Sequence, residues 1–205
     1  MKALFLFLAG TSIGVALATT APAADGAAFF DQQCAQCHGK AGASTDTNIP
    51  IIGGYSTTYI LGSFKNFKTK ERVCAEVTIP SGPKKGQKSD MCKVTADLSA
   101  ADADAVAKYL AGQKFVRAKQ PVDASLVEKG SSVYKLRCEK CHEQNGSSPD
   151  EDNGILAGQW SPYLRAQIAA FRTGKRPIDE KMKQRLDKVS KDEEEMLVQF
   201  FASQQ

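Results

Sequence analysis

The apolar positions of this chain fall into short helical stretches separated by loops, and alternation of the kind that marks strands is nearly absent. The pattern predicts an all-α protein, and the same order of elements occurs twice. A helix runs into a C-x-x-C-H sequence, a loop follows, a second helix carries Tyr59 or Tyr163, and a second loop leads to a terminal helix over residues 99–111 or 191–202. Ser99 followed by Asp102 is a capping-box-like start, and Tyr109-Leu110 or Phe200-Phe201 supplies the apolar end. Gly26 and Gly130 each stand four residues before an aromatic, Phe30 or Tyr134. A helix can approach another closely at such a glycine while the ring packs beside it, and the terminal helix is the obvious partner.

One apolar stretch stands outside this scheme. Residues 3–10 follow Lys2, are interrupted by Thr11 and Ser12, and lead to Ala21-Pro22-Ala23, an A-x-A cleavage site. Residues 1–23 therefore read as a secretory signal, too short for a membrane span, which needs about 20 apolar residues. No later segment is apolar enough to span, so the mature chain is expected to be an exported, periplasmic protein with no membrane span after cleavage.

With 42% hydrophobic and 24% charged residues, the 205-residue chain can bury a core and lies far from disordered compositions. A net charge of +4, from 27 basic against 23 acidic residues, is too mild to make nucleic acid the principal partner.

The six cysteines are Cys34, Cys37, Cys74, Cys92, Cys138 and Cys141, and both histidines, His38 and His142, directly follow a C-x-x-C. At this cysteine frequency either coincidence has a chance of about one in 1,200. Cys34-Ala35-Gln36-Cys37-His38 and Cys138-Glu139-Lys140-Cys141-His142 are therefore c-type haem attachment sites. Two thiols one helical turn apart reach the two vinyl groups of the porphyrin, and the adjacent imidazole is carried under the iron. A thioredoxin-like motif lacks its βαβ setting here. A zinc site or a pure disulfide framework leaves the histidines unexplained.

Other matches share the 104-residue offset of the haem motifs. Ile51-Ile52-Gly53-Gly54 matches Ile155-Leu156-Ala157-Gly158, Tyr59 matches Tyr163, Phe67 matches Phe171, Thr69 matches Thr173, and Arg72 matches Arg176. The chain reads as a duplicated haem domain: domain 1 over 24–115, a linker over 116–122, and domain 2 over 123–205.

With no third histidine, bis-histidine ligation of either iron within this chain is excluded, which leaves methionine or an open site. Met91 precedes Tyr109 by 18 residues and Met182 precedes Phe200 by 18, so the two methionines are equivalent positions in loops after the haem motifs and the expected iron ligands. Met196 lies within the last helix, where it serves the core. Domain 1 carries 13 extra residues ahead of Met91, holding Cys74 and the Lys84-Lys85-Gly86-Gln87-Lys88 run. In an oxidising compartment a Cys74–Cys92 bridge is the simplest reading, against two buried free thiols or one reactive thiol.

Two such domains with methionine loops resemble the tandem class I cytochromes c, including the cytochrome c4 group. In the second half, the Cys138 motif, Ile155-Leu156-Ala157-Gly158-Gln159-Trp160, Phe171-Arg172, Arg176-Pro177, Lys181-Met182 and the ending Phe201-Ala202-Ser203-Gln204-Gln205 resemble the cytochrome subunit of flavocytochrome c sulfide dehydrogenase. The resemblance implies two covalently bound haem c groups and a periplasmic complex in which a separate FAD-containing flavoprotein oxidises sulfide. Electrons then pass through this subunit to a soluble acceptor such as a small cytochrome c. The chain has no G-x-G-x-x-G after a strand, so FAD belongs on the partner. No catalysis is expected in this chain alone. Trp160, Tyr163, Tyr55 and Tyr59 are expected along haem edges or propionates, with Arg172 and Arg176 as counter-charges. The rivals are a free cytochrome c4-type shuttle to a terminal oxidase and a self-contained haem enzyme, which needs an open or unusually ligated iron.

Overall fold

The computed structural model describes residues 25–205, so the proposed signal at 1–23 lies outside the described residues. The first half contains α1 (Gly26–Gln33), α2 (Ala35–His38), α3 (Thr57–Lys68), α4 (Met91–Ala96) and α5 (Ala100–Ala111). The second contains α6 (Ala124–Arg137), α7 (Glu143–Gly146), α8 (Ser161–Arg172), α9 (Glu180–Leu186) and α10 (Lys191–Ser203). The fold is helical as expected, apart from a two-stranded antiparallel ribbon of β1 (Val77–Thr78) and β2 (Lys88–Ser89) in the insertion. No helix among the described residues is long and apolar enough to cross a membrane.

Local chemistry sets the helix starts. Ser99 accepts from Asp102 N, and Ser190 forms a full capping box with Glu193. Short helices also form where loops were expected around the two methionines. Asp90 accepts from Lys93 N and starts α4, while Asp179 accepts from Lys181 N and Met182 N and starts α9, satisfying first-turn donors that would otherwise be unpaired.

The duplication is visible in packing. A β-carbon built on Gly26 would lie 2.1 Å from Ala105 O, and one built on Gly130 would lie 2.0 Å from Met196 O. In both halves the first helix therefore crosses the terminal helix backbone to backbone. Phe30 packs on Tyr109 with ring centroids 5.4 Å apart, and Tyr134 on Phe200 at 5.0 Å. One apolar cluster gathers Val133, Tyr134, Leu164, Val198 and Phe201, and the other Phe30, Tyr55, Ile60, Val106 and Leu110. Ile155 from the second half joins the first-half cluster, so the two units share apolar surface. The segment between them is packed down: Ala118 N donates to Gly158 O, and Gln120 donates to Gln159 O while accepting from Ser161 N.

Candidate haem sites and their shared interface

Each C-x-x-C-H closes one helical turn. Cys34 O accepts from Cys37 N and His38 N, and Cys138 O accepts from Cys141 N and His142 N. In the first motif both thiols and the imidazole border one cavity.

Around the first motif, Cys34, Cys37 and His38 line a largely apolar cavity with Phe30, Ile60 and Leu110, and Met91 at the start of α4 lines the same cavity. His38 is buried, with Nδ1 3.0 Å from Pro50 O. A carbonyl can only accept, so Nδ1 carries the proton and the Nε2 lone pair is left for a metal. Burial lowers the imidazole pKa from its ordinary value, opposed by the Pro50 bond, and keeps the ring in its ligating neutral form. Burial also pushes the Cys34 thiol up to about 12, with neighbouring Cys37 adding to the effect. Cys74 and Cys92 form a disulfide with Cα atoms 5.7 Å apart, which ties the residue after Met91 to the insertion. Of the three readings open from composition, the bridge is the one observed.

Around the second motif, Cys138 packs against the second-half cluster, its thiol raised to about 11 by burial. His142 is half-buried, and loss of water around its ring pushes the imidazole down to about 4. Two backbone carbonyls of the motif are held from outside: Tyr134 Oη donates to His142 O at 2.6 Å, and Asn153 Nδ2 to Cys141 O at 2.7 Å. Cys141 is exposed. Met182 is half-buried on α9, one helical turn before Leu186, which packs on the same cluster as Cys138. The methionine thus shares a helix face with Leu186.

The halves meet through residues that the repeat makes equivalent, with partners exchanged. Arg72 Nη2 donates to Tyr163 Oη at 3.0 Å, and Arg176 Nη2 donates to Tyr59 Oη at 2.8 Å. Arg72 stacks on Phe67 and Arg176 on Phe171, each about 4.5 Å from the ring centre. Gln167 Oε1 accepts from both guanidinium groups at 2.7 Å. The exchange is the signature of a pseudo-twofold axis between the halves.

Gln159, with no exposed surface, bridges the interface: its Oε1 accepts from Ile51 N, and its Nε2 donates to Ile51 O and Tyr55 Oη. Trp160 Nε1 donates to Ser44 O across the same boundary. The expected counter-charge role of Arg172 is not what the structure shows. Its Nε holds Glu194 at 2.7 Å and its Nη2 donates to Val189 O, so it binds the terminal helix instead. Arg72, the repeat partner of Arg176, lines the first cavity instead.

The residues fit a haem. The first cavity unites two thiols, a ring nitrogen with a free lone pair and a thioether within apolar walls, and it reaches Arg72, Tyr163 and Gln167 at the interface. Arg72 is only 7% exposed, and its partners are the neutral Tyr163 and Gln167, with no carboxylate paired to it among the described residues. An unneutralised buried cation suits a cofactor with two propionates, because removing a lone charge from water is otherwise costly.

These features define a c-type cytochrome of two class I domains, and comparison with known proteins places it further. The family pattern for cytochrome c matches residues 23–114. The chain is 30% identical to cytochrome c4 of Azotobacter vinelandii over 156 residues, covering 71% of this chain and 70% of that protein. It is 28% identical to the thiosulfate dehydrogenase electron acceptor of Stutzerimonas stutzeri, covering 99% of this chain and 96% of that one. The crystal structure of reduced recombinant cytochrome c4 from Pseudomonas stutzeri superposes with a TM-score of 0.70 at 25% identity, covering 89% of this chain and 98% of that chain. The chain belongs to the cytochrome c4 family and is a dihaem electron-transfer cytochrome carrying covalently bound haem c.

Proposed function

We propose that this chain is an exported, periplasmic dihaem carrier that drains electrons from a separate sulfur-oxidising dehydrogenase and hands them to a soluble acceptor such as a small cytochrome c. Cys34 and Cys37 hold one haem and Cys138 and Cys141 the other. His38 with Met91, and His142 with Met182, would bind the two irons. Bound haem supplies a one-electron iron couple, and methionine beside histidine raises its potential toward an accepting role. The chain's own residues supply the rest: Pro50 orients the His38 ring, Arg72 and Arg176 balance propionate charge, and the apolar walls exclude water from the first site.

The observation that carries the sulfur-linked reading is similarity along almost the whole chain to a protein named for accepting electrons from thiosulfate dehydrogenase. The motifs of the second half support a flavoprotein that oxidises sulfide as the specific partner, with FAD on that subunit. A free cytochrome c4-type shuttle is the second reading, favoured by the identity to cytochrome c4.

Isolation of the protein from its native periplasm, with spectra for haem and flavin, followed by stopped-flow mixing with sulfide or thiosulfate, separates these. A permanent flavoprotein subunit with a large, partly apolar interface remains associated at moderate salt. Haem reduction by sulfide should then be faster with the flavoprotein than without it. No acceleration by a flavoprotein or by a thiosulfate-oxidising enzyme would leave the free shuttle as the better account.

A further inference from the structure

The insertion that distinguishes domain 1 is folded onto its haem motif. Ser81 Oγ donates to Gln36 O at 2.9 Å, Lys84 N donates to Gln36 Oε1 at 3.3 Å, and a β-carbon on Gly82 would touch the Gln36 side chain at 3.3 Å. Gln36 stands between the two haem-binding cysteines. The hairpin is closed below its tip by the β1–β2 pairing and by the Cys74–Cys92 disulfide, so the tip cannot swing away as a free loop would.

The tip presents Lys84 and Lys85, and the paired strand β2 adds Lys88, all exposed. Lys88 lies 3.7 Å from Glu76, and Lys93 pairs with Asp90, but Lys84 and Lys85 have no carboxylate partner among the described residues. Val73 and Val94, 46% and 37% exposed, line the same cavity as His38 and Met91. Unpaired positive charge is thus held against Gln36, inside the first haem motif, whose cysteines and histidine line the cavity. The second haem motif has Glu139, Lys140 and Glu143, all exposed and of mixed sign, and no corresponding insertion.

We propose that this clamped lysine hairpin is the docking surface for an acidic patch on a redox protein, which exchanges electrons with the first haem beside Gln36. The proposal rests on the reading that domain 1 carries a haem, and it adds where, and to what chemistry, that haem is presented. Unpaired lysines held beside the haem-binding motif both steer an anionic partner and orient it on that face.

The test uses the dihaem holoprotein, reduced and mixed at low ionic strength with ferricyanide, an anionic oxidant, or hexaammineruthenium(III), a cationic one. Reversing two charges beside the first haem motif in Lys84→Glu/Lys85→Glu should slow ferricyanide about tenfold. The same change should accelerate the ruthenium complex. A control reversal in domain 2 at the exposed Lys129 and Lys188, to Glu at both, should stay within about twofold of wild type. Poly-L-glutamate, the acidic polypeptide probe, should compete with ferricyanide on wild type and on the control but not on the hairpin variant.

Equal responses of the hairpin and control variants, or equal inhibition of all three proteins by poly-L-glutamate, would overturn the proposal. Haem content by pyridine haemochrome identifies the other failure. Fewer than two haems per wild-type chain would sink the dihaem assignment itself, whereas two haems with unaltered rates would sink only the docking surface.

Discussion

Replacing Gly130 with alanine tests the helix crossing on which domain 2 is built. The added β-carbon would sit 2.0 Å from Met196 O, 2.6 Å from Met196 C and 2.8 Å from Phe200 Cβ, and two of those atoms are backbone that cannot rotate away. Restoring ordinary contact requires α6 and α10 to part by about 1.4 Å, which loosens Tyr134 and Phe200 across the crossing. Overpacking of this kind costs about 3 kcal/mol, and alanine returns about 1 kcal/mol through its better helix propensity. The expected net loss is about 2 kcal/mol.

Gly62 is the internal control, since it lies exposed in α3 and a β-carbon there meets nothing within 4 Å. Gly62→Ala should stabilise by about 0.5–1 kcal/mol through helix propensity alone. Urea unfolding of the two holoproteins, followed by far-ultraviolet circular dichroism and the Soret band, measures both. Gly130→Ala as stable as Gly62→Ala would refute the reasoning that glycine is required by the crossing.

Met182→Ala should remove the low-spin methionine signature of one haem and lower its potential, because a thioether favours ferrous iron, and redox titration reads both. If Met196→Ala produced that change instead, the ligand assignment would be wrong. Gln159→Leu leaves the buried N–H and C=O of Ile51 without partners, at a cost of about 3 kcal/mol, and should split the unfolding of the two domains into separate steps by calorimetry. Replacing Cys74 and Cys92 together by serine should lower stability by about 3 kcal/mol through the freed unfolded chain, and unchanged denaturation would show that the bridge contributes nothing. His142→Ala should alter the spectrum of only one haem, since each motif supplies its own proximal ligand.

The amino-acid sequence alone determined the features whose partners are close along the chain. Two thiols and an imidazole within five residues are brought together by one helical turn, so the haem motifs were legible without a fold. Helix starts at Ser99 and the glycine–aromatic spacing of Gly26–Phe30 and Gly130–Tyr134 were legible for the same reason, and the 104-residue repeat transferred each reading from one half to the other. The spacing marks Met91 and Met182 as equivalent positions, but the short helices there were missed, because the signals were single aspartate caps at Asp90 and Asp179 in segments too brief for periodicity to register.

What only the tertiary structure decided lies where the halves dock. Arg176 reaches a tyrosine 117 residues away and Arg72 one 91 residues away, while the nearer Arg172 is taken by Glu194. Gln159 pairs with a backbone 108 residues distant, and the hairpin tip meets Gln36 across 45 residues. No local pattern marks such partners, because a guanidinium or carboxamide binds whichever unsatisfied oxygen the packed surfaces bring within 3 Å, and burial then enforces the pairing.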